Sequence, residues 1–506
     1  MPAATAPSEE LVIAIAGAVG TRLDLVVVEL QLALRAYDVD AEEISLSAGL
    51  RDLPGLAELP KTPYDEQVVA YMDAGNKLRE DWNRDDALAL LAVEQIRARR
   101  RPGRVAHILR SVKHPAEVAT LRAIYGSTFF LVSAYRPWEM RLEAVRELIA
   151  DTSGSPDPTD WTYLPEQILE QDEHQPEASG QKLRDTFPLA DYFVDASDRD
   201  RMRPQLGRFV ALLFGDPFRT PTREEYALTC AEAAALRSAE LGRQVGACLT
   251  SADGEVIALG TNEVPKARGG IYWEDDDGDA REFHLGADTN DIRKREIAEE
   301  IVIKLAESKM LNVDILAGAG EDVPGPVDVL DTILGTRLGA LTEFGRAAHA
   351  EMTALMDAAR RGVSVQGAKL YSTTFPCHNC ARHLILAGIS EVVYVAPYAK
   401  SQASRLHDDA IVVAAADPPE DKLHLRPFVG AAPRLYSNVF APSKRKERSG
   451  EVVPFDAARA HLVAAEPVPA ELRPAEPIYL ARETKALTVL ERQRQENNLA
   501  PDARQE

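Results

Sequence analysis

The chain has 506 residues, an apolar content of 45% and a formal net charge of −22. This length allows two or three domains, and no apolar run approaches the roughly 18 to 20 residues that a membrane-spanning helix needs. The negative charge argues against a general duplex-binding surface, because neutralisation of phosphates dominates such affinity. The first residues lack the features of a secretion signal and cysteines are few, so we expect a cytoplasmic protein.

The first predicted element is a buried strand over residues 11–18, and a loop containing glycine and then a helix follow it. This order is the context of a phosphate-binding loop, so Gly17, Gly20 and Thr21 are candidates for binding a nucleotide. The complete motif needs a lysine after the glycines, and Arg22 stands there instead. We therefore expect no kinase activity, while the backbone of the loop can still offer N–H groups to a phosphate.

Strands and helices alternate through the remainder of the first 220 residues. Further strands are predicted at residues 43–47, 105–110, 128–135 and 192–196, with helices at 84–101 and 141–150. Alternation of this kind predicts a doubly wound parallel sheet. The polar segment 151–183, which contains proline and glycine, is predicted to be a long loop or linker.

Two short basic clusters interrupt the acidic composition. They consist of Arg97, Arg99, Arg100, Arg101 and Arg104, and of Lys444, Arg445, Lys446 and Arg448. A solvated loop is one interpretation of each cluster, and a contact with polyphosphate or RNA is the other. The sequence leaves both interpretations open.

The most informative pattern is His-Ala-Glu at 349–351 followed by Pro-Cys-His-Asn-Cys at 376–380. His349, Cys377 and Cys380 offer three ligands of the kind zinc prefers and leave a fourth position open, as catalytic zinc sites do. A lone Cys-x-x-Cys would fit a redox pair or two buried thiols equally well. The nearby His378 and His383 are weaker ligand candidates, because using them would leave the His-Ala-Glu element without a purpose.

Local structure makes this ligand set plausible. A strand is predicted at 368–375 and a helix directly after it, so Cys377 and Cys380 share one face of a helix start, where exposed N–H groups favour thiolates. His349 and Glu351 can face one metal only from the first turn of the helix predicted at 347–361. Glu351 would then contact the metal-bound water rather than the metal, and would act as the proton carrier.

With these motifs the chain resembles the cytidine and deoxycytidylate deaminase superfamily. Residues 372–401 are similar to the zinc-binding half of deoxycytidylate deaminases, and residues 237–265 to their first helix and strand pair. The resemblance implies Zn²⁺ as cofactor and Glu351 as catalytic acid and base. It also implies that Asn262 contacts the sugar, although an asparagine after a strand is also a common turn residue.

Further substrate contacts follow from the same resemblance. The N–H near Ala350 and the carbonyl near Phe375 would read the edge of the base. Tyr398 is a candidate for stacking on the base or sugar, and a core tyrosine is the equal alternative. Candidates for the phosphates, each of which can also be an ordinary surface charge, are Lys266, Arg268 and Lys400.

The layout of the whole chain resembles the bacterial anti-phage dCTP deaminases. The blocks that carry this similarity lie at 107–126, 262–273, 343–352 and 397–411. The implied fold is α/β, with an N-terminal P-loop-like doubly wound parallel sheet and a C-terminal cytidine-deaminase-like α/β/α sandwich. The expected domains are a nucleotide-kinase-like domain with linker at 1–220, a deaminase domain at 221–440 with an insertion at about 274–342, and a C-terminal arm and tail at 441–506.

The implied function is zinc-dependent deamination of dCTP or dCMP, which would deplete dCTP during phage infection. The expected partners are a free deoxycytidine nucleotide, further copies of the chain and a regulatory RNA or nucleotide at the N-terminal domain. A polynucleotide deaminase and a nucleotide- or RNA-sensing regulator are the alternatives. The insertion is expected to shape either the mouth of the pocket or an oligomer interface.

Overall fold

The architecture is that of a computed structural model of the chain. It describes residues 9–54, 56–153, 163–173, 182–311, 326–397, 401–415, 417–441, 443–463 and 478–497. The chain divides into two compact units, of which the first comprises residues 1–225 and 428–506 and the second comprises residues 226–427. None of the helices in the described ranges is long and apolar enough to cross a membrane.

The described residues form two six-stranded sheets, one in each unit. The strands are β1 (Glu9–Ala16), β2 (Asp40–Ser45), β3 (Arg104–Arg110), β4 (Phe129–Tyr135), β5 (Tyr192–Asp195), β6 (Gly246–Thr250), β7 (Val256–Thr261), β8 (Lys369–Thr374), β9 (Glu391–Ala396), β10 (Ile411–Val413), β11 (Leu423–Pro427) and β12 (Gly430–Ala431). The strand order is β12-β5-β4-β1-β3-β2 in the first sheet and β10-β11-β9-β8-β6-β7 in the second.

Helices accompany both sheets, which gives the predicted α/β class. In the first unit and at its boundary they are α1 (Leu23–Arg35), α2 (Tyr64–Asp81), α3 (Ala87–Arg99), α4 (Pro115–Tyr125), α5 (Trp138–Ser153), α6 (Tyr163–Glu173), α7 (Leu183–Thr186), α8 (Arg199–Leu213) and α9 (Arg223–Ala235). The later helices are α10 (Thr289–Glu307), α11 (Pro326–Leu334), α12 (Ala350–Arg360), α13 (His378–Leu386), α14 (Ala403–Leu406), α15 (Pro433–Val439) and α16 (Ile478–Glu496).

Strand β1 lies at the centre of the first sheet, parallel to β3 on one side and to β4 on the other. Its alternate residues Leu11, Ile13 and Ile15 join the core that α1 and α8 cover. Val12 and Ala14 point to the opposite face and are also fully buried. Burial on both faces explains the continuous apolar run and confirms the predicted doubly wound parallel sheet.

Two expectations about the first unit need correction. The segment 151–183 is not wholly a loop, because it contains α6, whose Ile168 and Leu169 pack with Val145 and Ile149 in a small apolar cluster. Because these few apolar residues stand among polar ones in the sequence, the apolar pattern of the helix is too weak to predict it. The second unit also ends at residue 427 rather than at residue 440, where the end of the expected deaminase domain was placed, since the short strand β12 pairs antiparallel with β5 of the first sheet.

The second sheet is mixed. Strand β8 runs parallel to β9 and antiparallel to β6, which in turn pairs antiparallel with β7. A Cβ atom at Gly246 would lie 1.8 Å from the Ala231 carbonyl oxygen. Only glycine therefore lets α9 pack this closely against β6.

The basic cluster at 97–104 is neither a solvated loop nor an open cationic surface. Arg100 pairs with Glu10 at 3.1 Å, Arg101 pairs with Asp40 at 2.7 Å, and Arg104 pairs with the neighbouring strand β1. Arg100 also binds Glu483 of α16, and both of these side chains are almost completely buried. The arginines of this cluster thus connect α16 with β1 and β2 of the same unit through ion pairs.

We predict that Glu483→Ala destabilises the first unit by about 3 kcal/mol, because breaking a buried ion pair costs roughly 3–5 kcal/mol and Glu10 still accompanies Arg100. Differential scanning calorimetry, with hydrogen exchange at α16 as a local readout, measures the effect. Glu94→Ala is the matched control, since Glu94 makes a half-exposed pair with Arg494 of the same helix and should cost less than about 1 kcal/mol. Equal small effects in both variants would contradict the prediction.

Candidate active site and metal centre

Three ligand atoms converge in the second unit. The Nδ1 atom of His349 lies 3.2 Å from the Cys377 Sγ and 3.3 Å from the Cys380 Sγ. All three donor atoms lie within 4.8 Å of one another. The two cysteines are buried, as a set enclosed by protein requires. The structure therefore brings together the three residues that the spacing of the motif selected.

This donor set suits zinc in chemistry and in spacing. Two sulfurs and one imidazole are typical zinc ligands, and donors of one tetrahedral zinc ion, bound at about 2.0–2.3 Å, lie roughly 3.5 Å apart. The observed nitrogen–sulfur distances of 3.2 and 3.3 Å are close to that value. A small shift of side chains would complete the fit.

The local charges favour the metal-binding form of a thiol. Hydrogen bonds from Cys380 and from His349 lower the pKa of Cys377 to about 4. The hydrogen bond to Cys377 in turn raises the pKa of His349 to about 9. Thiolates, rather than thiols, are metal ligands. Cys377 is therefore prepared to bind a cation.

Glu351 lies beside the ligands in the first turn of α12, as expected. Its carboxylate Oε2 accepts a hydrogen bond from the Cys380 thiol at 3.3 Å, and only 3% of the residue is exposed. Burial raises the pKa of the Glu351 carboxyl above its ordinary value. A carboxyl group with a raised pKa exchanges protons more readily near neutral pH.

Backbone contacts with the end of β7 position His349. A Cβ atom at Gly260 would lie 2.0 Å from the Ala350 carbonyl oxygen, so glycine allows the start of α12 to lie directly against this strand. Glu263 and Ala348 exchange two backbone hydrogen bonds, of 3.2 and 3.0 Å. These contacts fix Ala348, the residue that precedes His349. His349 itself is the N-cap of α12.

Cys377 and Cys380 are held by the start of α13. Cys377 is the N-cap of this helix, and its sulfur accepts a hydrogen bond from the Cys380 backbone N–H at 3.4 Å. Because β8 delivers the chain to this point from the middle of the second sheet, both sulfurs reach the side of the sheet where α12 begins. The end of β8, Pro376 and the start of α13 thus supply the two cysteine ligands, as the sequence predicts.

A cavity of about 350 Å³ opens beside the metal centre, and we call it the site cavity. The predicted residues that line it are Asn262, His349, Ala350, Glu351, Phe375 and Cys377. Its remaining lining residues are Glu240, Gly242, Arg243, Val245, Glu282, Asp288, Asn290, Thr342, Gly345, Ala347 and Thr374. The site cavity therefore has room for a ligand within reach of Glu351.

Residues 221–396 match the family model of the cytidine and deoxycytidylate deaminase zinc-binding region. Together with the converging donors, this match confirms zinc as the expected cofactor. It covers about a third of the chain and leaves the remainder of the first unit outside it.

Curated relatives match over short stretches. Deoxycytidylate deaminase of Enterobacteria phage T2 is 43% identical over 54 residues, which is 11% of this chain and 29% of that protein. Deoxycytidylate deaminase of Homo sapiens is 23% identical over 171 residues, or 34% of this chain and 63% of that protein. The chain thus spans less than a third of the T2 relative's length.

Among solved structures, the dCMP deaminase of cyanophage S-TIM5 in complex with dCMP and dUMP is similar to this chain at 16% identity. The similarity covers 42% of this chain and all of that one, with a TM-score of 0.23.

Asn262 binds the backbone of a neighbouring loop through both atoms of its side-chain amide. Its amide nitrogen donates to the Arg243 carbonyl oxygen at 2.7 Å, and its amide oxygen accepts from the Val245 N–H at 2.7 Å. The side chain therefore holds the loop of residues 238–245, which we call the 238–245 loop. It lines the site cavity at the same time.

Lys266 and Arg268, two of the residues predicted to contact the phosphates, are not among the described residues that line the site cavity. Lys266 makes a close ion pair with Asp276 at 2.6 Å and is absent from the described lining of the site cavity. Tyr398 and Lys400 lie outside the described residues.

Residues of the insertion form a wall of the site cavity, which agrees with one of the two roles expected of it. Its Glu282, Asp288, Asn290 and Thr342 all line the site cavity. Sequence reasoning missed these residues and Arg243, because no motif marks them. The sequence shows Arg243 only as a basic residue just before a strand expected within residues 237–265.

The wall is acidic. Carboxylate oxygens of Glu240, Glu282 and Asp288 lie within 4.8 Å of one another. Burial, followed by the charges of Glu282 and Asp288, raises the pKa of Glu240 to about 7. The carboxylates of this cluster therefore repel one another, and an added anion would meet the same repulsion from Glu282 and Asp288.

In the first unit, the loop at residues 17–21 binds a carboxylate of the same chain. The Asp172 carboxylate of α6 accepts a hydrogen bond from the Val19 backbone N–H at 2.7 Å. The Lys113 ammonium donates to both oxygens of Asp172, at 2.7 and 2.9 Å, and to the Gly17 carbonyl at 2.8 Å. A lysine thus reaches the loop from the end of β3 rather than from the loop itself.

The candidates Gly20 and Thr21 lie in this loop as well. Gly20 has a φ of +81°, and a Cβ atom there would lie 2.6 Å from the Arg141 carbonyl oxygen. Thr21 is buried and its N–H donates to the Ala18 carbonyl at 3.1 Å. The carboxylate of Asp172 therefore lies beside this tight turn, where it binds the Val19 N–H.

For the metal centre, we predict about one zinc ion per chain in the wild type and almost none in Cys377→Ala or Cys380→Ala, because each variant loses one of three ligands. Metal analysis of the dialysed proteins measures this. Cys230→Ala is the control, since Cys230 belongs to no donor set among the described residues. Full zinc content in both ligand variants would show that the assignment is wrong.

Proposed function

We propose that the deaminase region removes the 4-amino group of a free deoxycytidine nucleotide, dCTP or dCMP, by hydrolysis. The products are the corresponding deoxyuridine nucleotide and ammonia. The observation that carries the proposal is the buried Glu351 carboxylate, which faces the site cavity beside the His349, Cys377 and Cys380 donors. A carboxylate in that place, which accepts a hydrogen bond from the Cys380 thiol, has a proton-transfer role available.

Zinc bound by these donors supplies a Lewis acid that makes water a nucleophile near neutral pH. Glu351 takes a proton from the attacking water and delivers it to ring nitrogen N3. It then passes a second proton from the added hydroxyl group to the amino nitrogen, which leaves as ammonia. The raised pKa of Glu351 suits both directions of transfer, since a carboxyl that is too acidic would not return the proton.

Backbone groups orient the base in this proposal. The N–H of Ala350 belongs to the first turn of α12, where N–H groups have no partner within the helix. The Phe375 carbonyl lies at the end of β8, and the Phe375 ring packs edge-on against Tyr394 at 4.9 Å. Both residues line the site cavity, so one donor and one acceptor are available for the polar edge of a cytosine.

A free nucleotide is a better substrate than a polynucleotide in electrostatic terms. The net charge of −22 and the acidic wall of the site cavity both oppose a long phosphate backbone. In the biological role implied by the resemblance to anti-phage dCTP deaminases, the reaction would deplete dCTP during infection. That role rests on resemblance alone.

Incubation of zinc-loaded protein with deoxycytidine, dCMP, dCTP, the corresponding ribonucleotides and cytidine-containing oligonucleotides tests the proposal. We predict that Glu351→Gln retains zinc but loses roughly 10²–10⁴-fold in kcat, because the amide cannot carry protons. Glu299→Gln, on the exposed side of α10, is the control and should keep full activity. Unchanged turnover in Glu351→Gln, or activity confined to oligonucleotides, would refute the proposed function.

For the first unit we propose a structural role of the 17–21 loop rather than phosphoryl transfer. The Asp172 carboxylate already uses the Val19 N–H and the Lys113 ammonium, which are the groups a nucleotide phosphate would bind. We therefore predict no dCDP after incubation of the wild-type protein with ATP, Mg²⁺ and dCMP, as measured by chromatography. Appearance of dCDP in proportion to enzyme would make the chain a kinase as well.

A further inference from the structure

Glu263 carries a buried carboxylate two residues after the end of β7, and only 1% of the residue is exposed. Its backbone exchanges two hydrogen bonds with Ala348, and any residue other than proline could form them. The bridge to Ala348 therefore needs no particular side chain. Because burial of a charge is costly unless the charge is hydrogen-bonded, the contacts of the carboxylate itself account for its presence.

The carboxylate accepts two hydrogen bonds from backbone N–H groups. Its Oε2 accepts from Ala239 of the 238–245 loop at 3.0 Å, and its Oε1 accepts from Val264 at 2.8 Å. Hydrogen bonds to an ionised group are roughly twice as strong as those between neutral groups. The Val264 bond stays within neighbouring residues, whereas the Ala239 bond joins positions that are 24 residues apart. The carboxylate thus ties the 238–245 loop to the end of β7.

The start and the end of the 238–245 loop are both held by residues that follow β7. Beside the Glu263 bond, the Ser238 hydroxyl donates to the Asn262 carbonyl at 2.7 Å. The Asn262 side-chain amide holds the other end of the loop. Residues 241–244, which lie between these points, are exposed. The position of this exposed stretch therefore depends on the contacts at the two ends of the loop.

The loop in turn forms part of the site cavity. Its lining residues are Glu240, Gly242, Arg243 and Val245. Glu263 is not among the described residues that line the site cavity, so it reaches a ligand only through the loop that it holds. A loop that is fixed before a ligand binds loses less entropy on binding than a mobile loop does. The bond to Ala239 thus favours binding of a ligand in the site cavity.

We infer that the Glu263 side chain is a positioning residue, which holds the 238–245 loop in place for substrate binding. Its backbone has a separate task, because the hydrogen bonds with Ala348 hold the residue that precedes the metal ligand His349. The inference rests on the proposed function and adds to it a residue that acts without touching the substrate. Loss of the carboxylate should weaken substrate binding and leave the zinc centre intact.

Steady-state kinetics of zinc-loaded wild type, Glu263→Ala and Glu263→Gln test the inference with dCMP and dCTP. Alanine removes both hydrogen bonds, whereas glutamine can keep one, because an amide has a single acceptor oxygen. Glu263→Ala should raise KM by about 10-fold or more and change kcat per bound zinc by less than about 3-fold, as expected from the loss of a hydrogen bond to a charged group. Glu263→Gln should raise KM less.

Hydrogen exchange gives a readout that does not depend on activity. The Ala239 amide should exchange about 10-fold faster or more in Glu263→Ala, because its partner is lost. A purely structural role would instead lower the melting temperature and the zinc content with no change in KM. If Glu263→Ala does not fold, Glu263→Gln has to show a raised KM and faster exchange at unchanged zinc content.

Glu391→Gln is the matched control, because Glu391 is a carboxylate of β9 that pairs with Lys369 and Arg426 and is not among the described residues that line the site cavity. This variant should lower the melting temperature without changing KM. Unchanged KM and unchanged exchange of the Ala239 amide in both Glu263 variants would overturn the inference, as would a joint loss of zinc and kcat at unchanged KM. A wild type that deaminates neither nucleotide would refute the proposed function instead, and exchange of the Ala239 amide would then decide on Glu263 alone.

Discussion

Two backbone hydrogen bonds between Glu263 and Ala348 join the end of one strand pair to the start of α12, and the geometry of the active site depends on them. They place His349 opposite the two cysteines that β8 and α13 supply. The same segment of chain holds the 238–245 loop through Asn262. One short stretch of chain therefore positions both His349 and the 238–245 loop at the site cavity, and the absence of a Cβ atom at Gly260 permits the close packing of β7 against α12.

The zinc ligands and Glu351 could be predicted from the sequence because their geometry is local. Cys377 and Cys380 share a helix start, and His349 and Glu351 share another, so spacing alone constrains each pair. The central strands of the first sheet could also be predicted from the sequence, because a strand that is buried on both faces has a continuous apolar run. The helix α6 was missed because the few apolar residues that bury it stand among polar ones.

The remainder of the site depends on contacts between distant segments. Arg243 and Asp288 are 45 residues apart in sequence yet line one cavity, and no local pattern encodes that proximity. The arginine cluster at 97–104 illustrates the same limit. Its composition left open a solvated loop or a contact with polyphosphate or RNA, whereas Arg100 and Arg101 pair with Glu10, Asp40 and Glu483 within the unit. Composition shows that charges are present, and only the fold shows which partners they have.

The carboxylate of Asp172 at the 17–21 loop has a consequence for ligand competition. A group tethered to the same chain acts at an effective concentration that is on the order of millimolar or higher. Any free phosphate compound must therefore displace an internal competitor that dilution cannot remove, and Lys113 must exchange one anion for another at the same time. The tethered carboxylate thus links the turn after β1 to α6, and Lys113 links both to the segment after β3.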